Sequence, residues 1–386
     1  MIGAIEPRAD LRRAALAGLG WLAGPAPARL GRRRKVLVIR PDHLGDLLFL
    51  TPALRRLRHG LPDAELVGLI GSWGVPVLAR NPRLDRIITW DFPWFDRKPA
   101  RSAIDRYISL VRLAARLRSE KFDLAIQFRA DFWWGALAVR LAGVPEHIGY
   151  AAPTVRPFLS QAVPIQHGRH AADENLGLAA AVAGPGGGEA LEFPVTEAER
   201  AVADSLLSRV GAGRPLVALQ TGAGAPVKLW PTGRLAQVGR ALRDRYGAQI
   251  VAIGGAAERA LVDAVADGVG PETIRLAGAT SLGELAAVLE RCALAVGPDS
   301  GPLHLAVAVG TPTLHLFGPA DPRRFGPYGD PSWHRVVQSP WPCCPCNRLD
   351  FSGAALAAHQ CMAELPADSV IQEATDLLDR SLRRTG

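Results

Sequence analysis

The sequence predicts an α/β protein made of two Rossmann-like, doubly wound domains facing a central cleft. Three observations predict it. From residue 35 onward, short β-rich apolar runs alternate with helical ones, the pattern of a parallel sheet covered by helices. One glycine-dense stretch, Gly184-Pro185-Gly186-Gly187-Gly188, falls near the midpoint and reads as a hinge. After it the alternation starts again. At 386 residues the chain has length for roughly two to three domains, ample for a core without disulfide or metal staples.

The elements follow in order. Residues 36–40 form a short β-rich run, and 46–58 reads as a helix with Pro52 inside it. Strands are expected at 66–70, 86–90 and 123–128. Between them 104–118 is amphipathic, with Ile104, Ile108, Val111, Leu113 and Ala115 among its apolar positions, and 133–142 is a helix closed by Gly143. Beyond the hinge, helices are expected at 197–210, 232–246, 258–268, 282–291 and 302–309. Strands are expected at 215–220, 249–254, 273–276, 293–296 and 311–317, and a closing helix at 369–383. The domains are therefore drawn as a basic extension over 1–34, a first domain over 35–183, a hinge over 184–191, a second domain over 192–368 and a closing helix over 369–386.

Composition narrows the function. Apolar residues make up 48% and charged residues 21%, as in a folded globular chain. No run approaches the ~18 consecutive apolar residues of a spanning helix, so an integral membrane protein is not expected. The net charge of +8 favours anionic partners. Nucleic acid is not expected, because the arginines are spread along the chain and no nucleic-acid module signature occurs. An odd number of cysteines, five, and no apolar leader after Met1 point to a reducing cytoplasm. In residues 1–34, Arg8, Arg12 and Arg13 precede an Ala/Leu-rich segment ending at Trp21-Leu22, and Arg32-Arg33-Arg34-Lys35 follows. Such a segment can lie on an anionic membrane surface, or it can be a frayed extension.

Ligands of doubly wound sheets bind at the carboxyl ends of the strands, so the loops there carry the functional argument. The first strand runs into Arg40-Pro41-Asp42-His43-Leu44-Gly45-Asp46, where Asp46 is either a helix cap or a carboxylate at the cleft. The first strand of the second domain runs into Thr221-Gly222-Ala223-Gly224, followed by Lys228-Leu229-Trp230-Pro231. Small residues there expose backbone N–H groups to an anion, and Lys228 adds a point charge. Lys228 is one of four lysines (with Lys35, Lys98 and Lys121) among 45 basic residues, which favours a selected ammonium over an incidental one. Glu258, after Gly254-Gly255, can take the hydroxyls of a ribose or simply charge a helix start. Asp299-Ser300-Gly301-Pro302-Leu303-His304 opens a helix whose free N–H groups can cradle phosphate.

These pieces, with Leu316-Phe317-Gly318-Pro319, stand in an order that resembles glycosyltransferase family 9, the ADP-heptose:lipopolysaccharide heptosyltransferases. The resemblance covers about residues 35–380, and its Asp-x-Gly-x-x-His block is the specific part. It implies the GT-B architecture and an inverting, metal-free transfer with no cofactor beyond the nucleotide-sugar donor, itself held mainly by the second domain. Residue by residue, it implies Asp46 as catalytic base beside Gly45, and Lys228 on the donor diphosphate. It further implies Glu258 on the ribose, and Asp299, Ser300, Gly301 and His304 along the diphosphate and sugar. Thr221 and Gly222 belong to the donor loop, where the family often has more hydroxyl residues; backbone amides can replace them.

The expected partners are a nucleotide-sugar donor, ADP-heptose first, and a lipid-linked or phosphorylated glycan acceptor. Arg129 and Asp131 are candidates for contacting that acceptor. The expected address is the cytoplasm, peripheral on the inner face of the bacterial inner membrane. No Asp-x-Asp pair is present to hold a divalent ion on the diphosphate. Two other functions fit the same fold: a nucleotide-sugar epimerase, and a catalytically silent nucleotide-sugar-binding protein. Cys343, Cys346, His359 and Cys361 could supply four zinc ligands. Without an intermediate cysteine between Cys346 and Cys361, packing or incidental thiols is the favoured reading, and no metal site is assigned.

Overall fold

The computed structural model describes residues 34–95, 102–208, 210–211 and 213–385. The segment before residue 34, read above as a candidate membrane-surface helix, lies outside them. The chain divides into two compact units, Met1–Glu189 and Ala190–Gly386. Among the described residues no helix is long and apolar enough to cross a membrane.

The first unit begins with β1 (Lys35–Arg40), α1 (Leu44–Gly60), β2 (Glu65–Ile70), α2 (Val75–Leu78) and β3 (Arg86–Thr89). It continues with α3 (Ala103–Glu120), β4 (Leu124–Gln127), α4 (Trp133–Ala142), β5 (Glu146–Tyr150), β6 (Gln161–Val163) and α5 (Ala171–Ala183). All strands pair parallel in the order β3-β2-β1-β4-β5-β6. Helices cover both faces of such a sheet, so its central strands read as continuous apolar runs. Val36, Leu37, Val38 and Ile39 of β1 are accordingly all buried.

α1 carries Pro52 in its interior, which removes one backbone donor. The carbonyl of Leu48, left without its usual partner, instead accepts from the Thr51 hydroxyl at 2.7 Å. α3 opens on a capping box between Ser102 and Asp105. It buries Leu110, Leu113, Ala114 and Leu117, one face at i, i+3, i+4 and i+7. That register turns Ile104, Ile108 and Val111 outward, so three of the apolar positions read from its sequence are exposed. The glycine tract is tied to this unit: Arg56 Nε donates to the Gly186 carbonyl at 3.0 Å. Gly184, Gly186, Gly187 and Gly188 all take positive φ, which glycine adopts without strain.

The second unit starts with α6 (Glu197–Leu206), β7 (Leu216–Gln220), α7 (Thr232–Tyr246), β8 (Gln249–Gly254), α8 (Arg259–Val269) and β9 (Ile274–Ala277). Then come α9 (Leu282–Glu290), β10 (Leu294–Pro298), α10 (Gly301–Ala308), β11 (Thr313–Phe317) and α11 (Pro322–Phe325). β12 (His334–Gln338), α12 (Gly353–Ala358) and α13 (Ala367–Thr385) complete it. Its parallel order, β12-β11-β10-β7-β8-β9, repeats the winding of the first unit: the first strand is central and the fourth pairs on its other side. Each unit therefore has one topological switch point, between β1 and β4 and between β7 and β10. A crevice opens there because the two connections leave in opposite directions. Trp230 belongs to the core of this unit, its Nε1 donating to the Leu365 carbonyl at 3.2 Å.

Candidate active site

The switch point of the second unit gathers the donor-side residues. Lys228, in the short 3₁₀ turn Pro226–Lys228 after β7, places Nζ 2.6 Å from Oδ2 of Asp299, the first residue after β10. Asp299 Oδ1 lies 3.3 Å from His304 Nε2. Burial alone would raise the Asp299 carboxyl, but Lys228 and then His304 outweigh it and hold the group well below the usual carboxylate range. Ser300 caps α10 from an extended conformation without a side-chain bond to the helix. Its Oγ is buried and has no hydrogen-bond partner among the described residues. A buried hydroxyl, a lysine ammonium and a helix N-terminus together form an anion cradle.

The neighbouring loop is tighter than its composition implied. A Cβ on Gly222 would lie 1.7 Å from Glu258 Oε1, so only glycine lets that carboxylate lie across the loop. Glu258 Oε2 accepts the Gly255 N–H at 2.6 Å, which is the helix-start role, and Oε1 faces Gly222. Thr221 donates its hydroxyl to the Ile253 carbonyl at 3.1 Å. That proton is committed within the sheet and is not offered to a phosphate in this conformation.

In the first unit, the Asp46 carboxylate lies in a charged cluster at the β1/β4 switch point. The helix begins at Leu44, two residues before the start read from sequence, with His43 as its N-cap; Asp46 is thus inside the first turn and is not a cap. Its carboxylate pairs with Arg40 Nη2 at 3.1 Å. Arg40 Nε also meets Asp42 Oδ2 at 2.7 Å, and its Nη1 donates to the Phe128 carbonyl at 2.5 Å and to Asn175 Oδ1 at 3.2 Å. Arg129 bridges Asp42 and Asp131, and its guanidinium is held strongly protonated by Asp42 and Asp131 against the cost of burial. Burial raises the Asp46 carboxyl above its ordinary value; the nearby Asp42 adds to this, while Arg40 and Arg129 oppose it. The Asp42 side chain is 3% exposed and that of Asp46 31%, so Asp46 is the one a hydroxyl from solution can reach.

The family model "Glycosyltransferase family 9 (heptosyltransferase)" matches residues 110–349, well over half of the chain. The chain belongs to glycosyltransferase family 9. Lipopolysaccharide heptosyltransferase 3 of Escherichia coli K12 is 30% identical over 292 residues, which cover 72% of this chain and 80% of that protein. A family 9 glycosyltransferase from Veillonella parvula superposes with a TM-score of 0.74 at 24% identity, over 90% of this chain and 97% of that one. The E. coli ADP-heptose lipopolysaccharide heptosyltransferase II superposes at 0.71 and 22% identity, over 91% and 100%. These two structures share its architecture of paired parallel α/β sheets, the GT-B-like fold.

Within this glycosyltransferase, sequence reasoning singled out Asp46, Lys228 and the Asp299 that pairs with Lys228, but missed Arg40, which pairs with Asp46, and the Asn175 that steadies Arg40. Arg40 and Asn175 are 135 positions apart and carry no local motif. The one signal for Arg40 was an arginine directly after the apolar run of residues 36–39 in β1. Arg129, read as an acceptor contact, is engaged by Asp42 and Asp131 and acts on the field around Asp46.

Proposed function

We propose that this enzyme transfers heptose from ADP-heptose to a lipopolysaccharide-core or related lipid-linked glycan, with inversion and with no metal on the diphosphate. The anion cradle of Lys228, Ser300 and the start of α10 supports the reading, since an ammonium, a hydroxyl and free N–H groups suit a diphosphate leaving group. The nature of the sugar and acceptor rests on family membership and on the E. coli relatives, which are lipopolysaccharide heptosyltransferases, one of them an ADP-heptose enzyme. Its place of work is then the cytoplasmic face of the membrane that holds the acceptor.

In this scheme the acceptor hydroxyl oxygen forms a bond to the anomeric carbon from the face opposite the diphosphate. Its proton passes to the Asp46 carboxylate, and the bond to the diphosphate oxygen breaks with both electrons leaving on ADP. A base in that position is worth roughly 10²–10⁴ in rate, and a carboxyl raised by burial is a stronger base than an ordinary one. The Lys228–Asp299 pair is neutral as a unit, so charge on the leaving ADP is met by the remaining Nζ protons and the free N–H groups of α10. Asp299 acts as a positioning residue that aims the ammonium. Glu258 Oε1 accepts from a ribose hydroxyl.

The test is a thermal-shift comparison of ADP-heptose with UDP-, GDP- and TDP-sugars, followed by transfer to heptose-deficient lipopolysaccharide. A shift with ADP-heptose and an anomerically inverted product are expected. Release of a modified free sugar without acceptor would identify an epimerase, and binding without turnover on any acceptor a silent binding protein.

A further inference from the structure

Four of the five cysteines fall within residues 343–361, in the long connection that follows β12. Spacing along the chain left them without a shared role, because no cysteine stands between Cys346 and Cys361. The fold brings His359, already offered beside them by the sequence, next to two of these cysteines. One ligand atom each from Cys343, Cys346 and His359 lies within 4.8 Å of the others. In a tetrahedral zinc site, bonds of about 2.3 Å to sulfur and about 2.0 Å to nitrogen place the donors roughly 3.6 Å apart. The three groups therefore need to close by only about 1 Å to share one ion.

A second observation points the same way. His359 Nε2 is buried and has no hydrogen-bond partner among the described residues. An orphaned ring nitrogen in such a setting is costly unless something ligates it. The ring is also held in place: Phe351 stacks on it at 4.1 Å with planes 21° apart, and the Arg348 guanidinium lies 4.7 Å over Phe351. Behind the trio the thiols of Cys344 and Cys361 neighbour each other, and Cys361 is fully buried. They are the neighbouring groups able to complete a four-ligand shell.

We propose that Cys343, Cys346 and His359 hold a thiolate-preferring transition-metal ion, zinc first, with a fourth ligand from the Cys344/Cys361 pair. Two thiolates and an imidazole are the donor set that zinc and iron(II) prefer over hard cations. A shell closed by four protein ligands leaves no position for substrate, so the ion is structural. Its place in the fold says what it fastens. The Asn347 N–H donates to the Pro319 carbonyl at 2.7 Å, and its Oδ1 accepts from Asp321 N at 3.0 Å. The metal clasp thus pins the connection against the segment leaving β11, without entering the transfer chemistry.

The test uses the full chain, purified in reductant without chelator and gel-filtered in metal-free buffer. Elemental analysis should find about one zinc per chain; iron at that ratio supports the site equally. A Cys343→Ser, Cys346→Ser, His359→Gln triple variant should retain less than about a tenth of it. Should that variant fail to fold, cobalt(II) titration of metal-stripped wild type decides: saturating thiolate-to-cobalt charge-transfer absorption at about one equivalent is expected. Metal-free wild type that gives no such absorption overturns the proposal. So does equal metal content in the triple variant, or a Cys343–Cys346 disulfide in protein isolated without reductant.

Discussion

Lys228 and Asp299 form a 2.6 Å ion pair in which both side chains are nearly out of water. They come from the ends of β7 and β10, the two strands that flank the switch point of the second sheet. Each needs the other: Asp299 aims the ammonium, and the ammonium keeps a buried carboxylate ionised.

Lys228→Ala should therefore cost stability as well as donor binding. Removing one partner of a buried pair typically costs about 3–5 kcal/mol, here lessened by the remaining His304 contact. The sign with pH is fixed by Asp299, whose native carboxyl is held low. The pair's contribution is complete above the unfolded value near about 4 and is lost as pH falls toward the depressed native one. Melting curves should show the largest gap between wild type and variant at neutral pH, narrowing below about pH 4. No gap at any pH, with donor titration unchanged, would show that the pair carries neither stability nor donor binding.

Asp46→Asn should fold with a melting temperature close to wild type, because Asp46 caps nothing and the change removes repulsion from Asp42. Transfer should fall by at least about a hundredfold, since an amide cannot take the acceptor's proton. Near-normal turnover in this variant would send the search for a base to another carboxylate.

Asp42→Asn separates the field from the base. Asp42 helps to raise the Asp46 carboxyl, while Arg40 and Arg129 lower it. Removing Asp42 should move the acidic limb of the kcat/KM profile to lower pH. Movement to higher pH, or none, would show that another group controls that limb.

Gly222→Ala should displace the Glu258 carboxylate, which occupies the space of the new methyl group. Glu258→Gln weakens the same contact electrically. Each should raise the donor Kd by about tenfold, the loss of one charge-assisted hydrogen bond of about 1.5 kcal/mol. The double variant should be little worse than either alone, as expected for two routes to one interaction. Full additivity in isothermal titration would separate the two residues.

Deleting residues 8–34 should abolish sedimentation with anionic liposomes at low salt and leave transfer to a soluble acceptor analogue intact. Equal sedimentation of both forms would remove the membrane role of that segment and leave the enzyme reading untouched.

The sequence by itself determined the repeating α/β pattern, because buried parallel strands must be apolar runs and amphipathic helices must show their period. It marked Asp46, Lys228, Glu258 and the Asp299–His304 block by their position, since ligands of such sheets bind at the loops that follow the strands. It was blind where the signal was short or distant. β6 has three residues, and β5 and β12 carry polar side chains at sheet positions that only pairing explains. Only the tertiary structure decided which face of α3 is buried, since Ile104 and Val111 are as apolar as Leu113 yet point to water. It alone brought Arg40 to Asn175 and Asp42 to Arg129, and raised the Asp46 carboxyl through burial. Fields and desolvation depend on distances through space, and residues far apart along a chain acquire those distances only when the sheet closes around them.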